Sequence, residues 1–334
     1  MIWKGDKGDR VTMKCIPFEN IEKLLLFWKE NNYSQKVEIA ALEPLLYKDG
    51  SKNIIDICSA AYDLGFKCSI TTNGFYLKKF AKDFCNKVEK IRVSLHTMDR
   101  QTYHNIMGFD GFNQAISGIC AAIENGIDVT LNRVLLKGYT NDLQEQISFI
   151  DRHCIKKLKL LDLYYTNEIK KQYQDYYISP EEVLDGLIQN DILSFDKENH
   201  YNRNRKTYLT KHNNIVEYKL QADFEKNKNN AICLDCHLRE NCLEGYADYL
   251  RVFPNNKATL CYMREELDFD IFDENNQLII DNNTLYDNIP LRLCVIDTCN
   301  YHCGFPNDDK SWCLKKARKF NYLAKRAGEL KYVE

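Results

Sequence analysis

The sequence predicts an α/β protein with a largely parallel sheet. From residue 18 to residue 164, short apolar segments of strand length alternate with amphipathic segments of helical period, which is the pattern of βαβ units. Late in the chain, Leu291-Arg-Leu-Cys-Val-Ile296 is an apolar run of the kind buried on both faces of such a sheet, and Cys299 and Cys303 follow it at once. Thiols leaving the C-terminal end of a parallel strand sit where these folds put their chemistry.

Residues 1–17 read as an exposed loop, with Gly5 and Gly8 among alternating charges. Phe18 to Asn31 carries Ile21, Leu24, Leu25, Phe27 and Trp28 at helical spacing. Val37–Ala41 is a short strand that ends at Glu43-Pro44. A helix follows over about 53–64, stopped by Gly65. Lys67–Thr72 is the next strand, closed by the turn pair Asn73-Gly74. The rhythm continues with a helix at 76–86, strand Ile91–Leu95, helix 111–125, strand Asp128–Leu135, helix 141–153 and strand Leu158–Tyr164. These are five strands, and 291–296 makes six. A closed eight-stranded barrel takes about 250 residues, so the expectation is a partial, TIM-like (β/α)6 barrel.

Past Thr166 the pattern changes. Ser179-Pro-Glu-Glu opens a helix with an N-cap and Pro at its first position. A polar, Asn-rich stretch leads to strands Lys206–Thr210 and Ile215–Leu220. The expected organisation is a barrel over 1–165, a cysteine-rich C-terminal region over 166–265, a linker over 266–290, and a segment over 291–334 that supplies the first barrel strand, a cysteine loop and a terminal helix.

With 44% hydrophobic and 28% charged residues, the composition is that of an ordinary soluble globular protein. The formal charge of -2 gives no bulk attraction to nucleic acid or to anionic membranes. There is no apolar signal core at the N-terminus and no window near the roughly 18 apolar residues of a membrane span. The expected location is the cytoplasm, where disulfides are rare. The 14 cysteines therefore need another explanation. Cys233, Cys236, Cys242, Cys261, Cys299, Cys303 and Cys313 crowd into the last third, which points to metal or iron–sulfur ligation. The spacing Cys233-x2-Cys236-x5-Cys242-x18-Cys261 supplies four thiolates for a closed tetrahedral cluster or a zinc site, and the strand–turn–strand expected over 250–261 returns the fourth to the first three.

The run Leu291–Cys303 resembles the first strand and cluster loop of the radical S-adenosylmethionine (radical SAM) enzymes, whose motif is Cys-x3-Cys-x2-Cys, and most resembles the branch containing the molybdenum-cofactor GTP cyclase. Four further pieces occur in the family's order. Ile39–Leu46 is similar to the second strand, which in the family ends Gly-Gly-Glu-Pro-Leu. Thr71-Thr-Asn-Gly74 matches the end of the third. Arg92-Val-Ser-Leu-His-Thr-Met-Asp99 and Ile106-Met-Gly108 match the fourth. Leu131-Asn-Arg-Val-Leu-Leu-Lys-Gly138 with Asn141-Asp142 matches the fifth. The departures are equally specific. Ala41-Leu42 replaces the glycine pair, Pro306 replaces the third thiolate, and the cluster motif lies near the end of the chain, as in a circular permutation.

The resemblance implies a [4Fe–4S] cluster held by Cys299, Cys303 and Cys313, with Cys15 as another candidate for the third thiolate. It implies S-adenosylmethionine held near Glu43, Thr72, Asn73, Ser94 and Asn132, and a second cluster, or zinc, on Cys233, Cys236, Cys242 and Cys261. The implied activity is that of an enzyme generating a 5′-deoxyadenosyl radical to modify a nucleotide or a peptide, fed by an external electron donor. The rival expectation is a catalytically degenerate member of the fold serving as a binding or scaffold module. His96 and His104, beside the fourth strand, are candidate acids or bases as well as candidate packing residues.

Overall fold

A computed structural model describes residues 15–31, 35–40, 42–163, 170–199, 205–219, 250–259, 261 and 263–280. The expected alternation is present. In chain order, α1 (Phe18–Glu30) leads to β1 (Lys36–Ile39) and a small hairpin of β2 (Lys48–Asp49) and β3 (Lys52–Asn53). Next come α2 (Ile54–Asp63), β4 (Lys67–Thr72), α3 (Leu77–Phe84), β5 (Lys90–Ser94), α4 (Arg100–Met107) and α5 (Phe112–Glu124). The chain continues with β6 (Asp128–Val134), α6 (Leu143–Arg152), β7 (Lys157–Leu161), α7 (Lys170–Tyr176) and α8 (Pro180–Gln189). Last are β8 (Leu193–Asn199), β9 (Arg205–Thr210), β10 (Ile215–Lys219), β11 (Arg251–Val252), β12 (Lys257–Thr259) and β13 (Phe269–Asp270). Among the described residues no helix is long and apolar enough to cross a membrane.

The main sheet has eight strands in the order β1-β4-β5-β6-β7-β10-β9-β8. The first six run parallel, and β9 and β8 are antiparallel additions. Strand alternation divides the sheet by chemistry. Ile70, Ile91, Val93, Val129, Leu131, Leu158, Leu160 and Val216 are buried against the helices in one apolar cluster. The intervening residues carry polar groups across the other face. There Glu38 pairs with Arg92 at 3.0 Å and accepts from Thr71 Oγ1 at 2.9 Å, and Arg92 also donates to Ser69. Farther along, Glu217, only 5% exposed, is held by Lys157 at 3.0 Å and Arg205 at 3.2 Å, locking β10 to β7 and β9.

Local chemistry sets the element ends. Asn53 and Asp56 form a reciprocal capping box at the start of α2, with both bonds at 2.8 Å. Gly118 of α5 lies so close to the turn before α3 that a Cβ there would meet the Gly74 carbonyl at 2.6 Å.

The structure departs from expectation in the later elements. The polar stretch 193–199 forms β8, and β10 joins the barrel sheet as a sixth parallel strand rather than standing apart from it. Residues 266–280, expected as linker, contain β13, which pairs with β12, and a Phe272–Leu278 bridge. Ile271, Phe272 and Ile280 are buried there against Leu24, Phe27 and Trp28 of α1. Their apolar side chains had a partner in the outer stripe of α1, and burying both excluded a solvated linker. The strand–turn–strand expected before Cys261 is β11 and β12, turning at Asn256 with φ +63.

Candidate active site at the strand ends

The C-terminal ends of β1 and β4 meet at Glu43. Its carboxylate accepts from Thr72 Oγ1 at 2.6 Å, the Asn73 amide at 2.8 Å and the Leu45 amide at 3.0 Å. Thr72 Oγ1 in turn accepts from the Gly74 amide, and Asn73 Oδ1 accepts from the Phe75 amide. The turn depends on Gly74, which has φ +81, and a Cβ there would lie 2.9 Å from Val93 Cγ1. Thus the sheet brings Glu43, Thr72 and Asn73 into one hydrogen-bonded group. Leu42, just before Glu43, has φ +26 and is 65% exposed. The backbone keeps a glycine-like conformation although the residue carries a side chain.

Ser94 and Asn132 are register partners on β5 and β6, two and three places along the sheet from β1. The Asn132 side chain is buried, and its Oδ1 has no hydrogen-bond partner among the described residues. Beyond β6 the strand ends are clamped by a fully buried Arg133. It pairs with Asp142 at 2.5 Å and donates to the Tyr139 carbonyl at 2.6 Å and to Gln146 at 3.1 Å. Asp142 also accepts from Thr97 Oγ1 at 2.5 Å and from the Met98 amide. Burial pushes the Asp142 carboxyl up, but the guanidinium and these hydrogen bonds outweigh it and hold it below the usual range.

His96 is no acid at neutral pH. Its Nδ1 accepts from the Val134 amide at 3.1 Å. Burial, followed by the Arg133 charge, drives its pKa down to about 4. His104 lies exposed on α4. Sequence reading missed Tyr103, also on α4. It is fully buried, its hydroxyl has no partner among the described residues, and burial followed by the Glu43 charge raises it to about 12. The legible signal was the pair of caps around it, Asp99 accepting from the Thr102 amide and Gly108 at φ +80.

Of the expected metal ligands, Cys261 is half-buried after β12, while Cys233, Cys236, Cys242, Cys299, Cys303 and Cys313 lie outside the described residues. The described residues alone bring no three His, Cys, Asp or Glu side chains together as a metal site. Cys15, the alternative third thiolate, is exposed, and its Sγ donates to the Lys48 carbonyl at 3.1 Å, five residues past Glu43.

A model of the Radical SAM superfamily matches residues 6–150. Residues 6–150 are thus similar to a radical SAM domain. Among curated relatives, a GTP 3′,8-cyclase of Campylobacter jejuni is 36% identical over 150 residues, covering 43% of this chain and 46% of that protein. A probable GTP 3′,8-cyclase of Saccharolobus islandicus is 26% identical over 275 residues, 81% of this chain and 80% of that protein. The chain thus spans a little under half the length of the Campylobacter relatives it matches. The crystal structure of Streptococcus suis SuiB bound to precursor peptide SuiA has a similar fold, with a TM-score of 0.51 and 18% identity over 78% of this chain and 55% of that one. The matched residues run from before α1 into α6 and so include Glu43, Thr72, Asn73, Ser94 and Asn132.

Proposed function

We propose that this protein is a radical SAM enzyme that modifies a nucleotide or a peptide, drawing electrons from an external donor. The observation that carries the reading is the Glu43 carboxylate, fixed by Thr72 and Asn73 at the end of β1, the edge strand of the sheet among the described residues. Three of its lone pairs are occupied by those bonds and the Leu45 amide, which leaves acceptor capacity for an ammonium group. The partnerless Asn132 Oδ1 offers a second acceptor, suited to a ribose hydroxyl. These residues fit S-adenosylmethionine. Bound together, a [4Fe–4S] cluster and S-adenosylmethionine supply the 5′-deoxyadenosyl radical; the chain orients the substrate and excludes water.

The first strand expected beside β1 has a source in the same chain. Residues 271–280 pack on α1, the helix that leads into β1. The ten residues 281–290 reach at most about 35 Å, ample for 291–296 to lie parallel along β1 and carry Cys299 and Cys303 to the rim near Glu43. Cys15 joins them as third ligand in preference to Cys313, because it is exposed, directly precedes α1 and is bonded to the loop that follows Glu43. The second cluster belongs to Cys233, Cys236, Cys242 and Cys261, with zinc the other occupant of four thiolates.

Anaerobic reconstitution followed by S-adenosylmethionine and a strong reductant tests the function. The expected product is 5′-deoxyadenosine, lost on Cys299→Ala or Cys303→Ala. Assembled clusters with no 5′-deoxyadenosine would leave a binding module in place of the enzyme. Iron content separates the third ligands: Cys15→Ala lowers it and Cys313→Ala leaves it unchanged.

A further inference from the structure

Asp162 directly follows β7, on the same rim as Glu43 but toward the opposite side of the sheet. Its Oδ1 is buried with no hydrogen-bond partner among the described residues. A buried carboxyl oxygen without a partner costs about 1–3 kcal/mol, so its retention on a rim of functional groups points to a ligand. The residues around it come from three elements. Glu181 of α8 is already committed to Lys206 at 3.1 Å and Tyr218 at 3.0 Å. Lys219 of β10 is buried and acts on Asp162 electrostatically. Tyr173 of α7 and Tyr177 just beyond it stack at 4.8 Å and 26°, with Tyr177 37% exposed, and burial followed by the Asp162 charge raises both phenols.

We propose that the end of β7 is a subsite for a neutral planar amide group of the substrate, with Asp162 as its hydrogen-bonding partner and the Tyr173–Tyr177 pair as the aromatic wall beside it. The charges select a neutral group. The Lys219 ammonium opposes a cation, and Glu181 opposes an anion. Burial, then Glu181, raises the Asp162 carboxyl to about 7 against the pull of Lys219, so the protonated form is present at neutral pH. A protonated carboxyl offers one donor and one acceptor side by side, matching the C=O and N–H of an amide edge. The tyrosine face supplies the apolar contact that a planar group needs. The subsite rests on the enzyme reading above and locates the substrate end of it.

Calorimetric titration of the full chain with two uncharged probes tests this: inosine, which carries a ring lactam, and N-acetyl-alanyl-alaninamide, which carries peptide amides. One of them binds, and which one tells a nucleotide source from a peptide source. Its Kd weakens about tenfold between pH 6 and pH 8, as the protonated fraction falls. Asp162→Asn, which also presents a donor and an acceptor, keeps binding and loses the pH dependence. Asp162→Ala weakens binding at least tenfold at pH 6. Failure of both probes to bind, or a wild-type Kd that is flat with pH, would overturn the subsite. Neither iron nor S-adenosylmethionine enters the measurement. A chain that binds a probe but never cleaves S-adenosylmethionine keeps the subsite and loses the radical reading.

Discussion

A side-chain hydrogen bond of 3.3 Å joins Asn20 of α1 to Asn276. The same turn receives Lys23, whose Nζ donates to the Asn276 carbonyl at 3.0 Å. With Ile271, Phe272 and Ile280 buried nearby against α1, these bonds anchor the late chain beside the first helix, ten residues before the segment that carries Cys299 and Cys303.

Leu42 holds φ +26 where the family's strand end has glycine. Left-handed backbone costs an L-residue roughly 1–2 kcal/mol, and glycine returns about 0.5–1 kcal/mol of that through its freer unfolded chain. Leu42→Gly should therefore stabilise the protein by about 0.5–1 kcal/mol, read as a higher urea midpoint at unchanged slope. It should also tighten S-adenosylmethionine binding in calorimetry, since a side chain 65% exposed beside Glu43 is removed.

Asp142 is the carboxylate partner of a guanidinium with no solvent exposure. Asp142→Ala strands that charge, and removal of one member of a buried pair costs about 3–5 kcal/mol. Denaturant unfolding should show a loss of that order. Asp142→Asn, which keeps one acceptor oxygen for either the guanidinium or the Thr97 hydroxyl and Met98 amide, should lose less.

His96 gives the fold an acid limit. Its pKa is about 4 when folded, against about 6.5 for the free side chain. The folded state favours the neutral ring, so its contribution is complete above pH 6.5 and is lost as pH falls toward 4. The full difference is on the order of 3 kcal/mol. A stability profile from pH 7.5 to 4 should decline across that window, and His96→Gln should flatten the decline.

Gly118→Ala should disturb the rim from behind. The new methyl would meet the Gly74 carbonyl at 2.6 Å and Leu77 Cβ at 2.8 Å. Overpacking of this kind costs about 1–3 kcal/mol. It also pushes on the turn that aims the Asn73 amide at Glu43, so affinity for S-adenosylmethionine should fall together with the melting temperature.

The strands from β4 to β7 were legible because β4, β5 and β7 alternate buried and more exposed residues, β6 is buried along its interior, and all four lie between helices of clear period. Lys67–Thr72 matches to the residue. β8 was not legible: Leu193-Ser-Phe-Asp-Lys-Glu-Asn199 is an edge strand, mostly exposed, and its polar composition answers to solvent rather than to a core. The docking of 269–280 depended on a second apolar stripe on α1, which one-sided periodicity does not reveal. At the rim, the resemblance singled out Glu43, Thr72 and Asn73, and their mutual hydrogen bonds span about thirty residues of sequence. Tyr103 and Asp162 stayed hidden because a missing hydrogen-bond partner is a property of the folded surroundings, not of the residue.

Completion of the sheet edge beside Glu43 is tested most directly by amide hydrogen exchange across Lys36–Ile39, compared between the full chain and a chain ending at residue 283. A strand lying along β1 slows exchange of the amides that face away from β4, so truncation should speed exchange there while β5 and β6 are unchanged. Identical exchange in the two chains would mean that residues 291–296 do not cover β1, and with that the placement of Cys299 and Cys303 near Glu43 would fail.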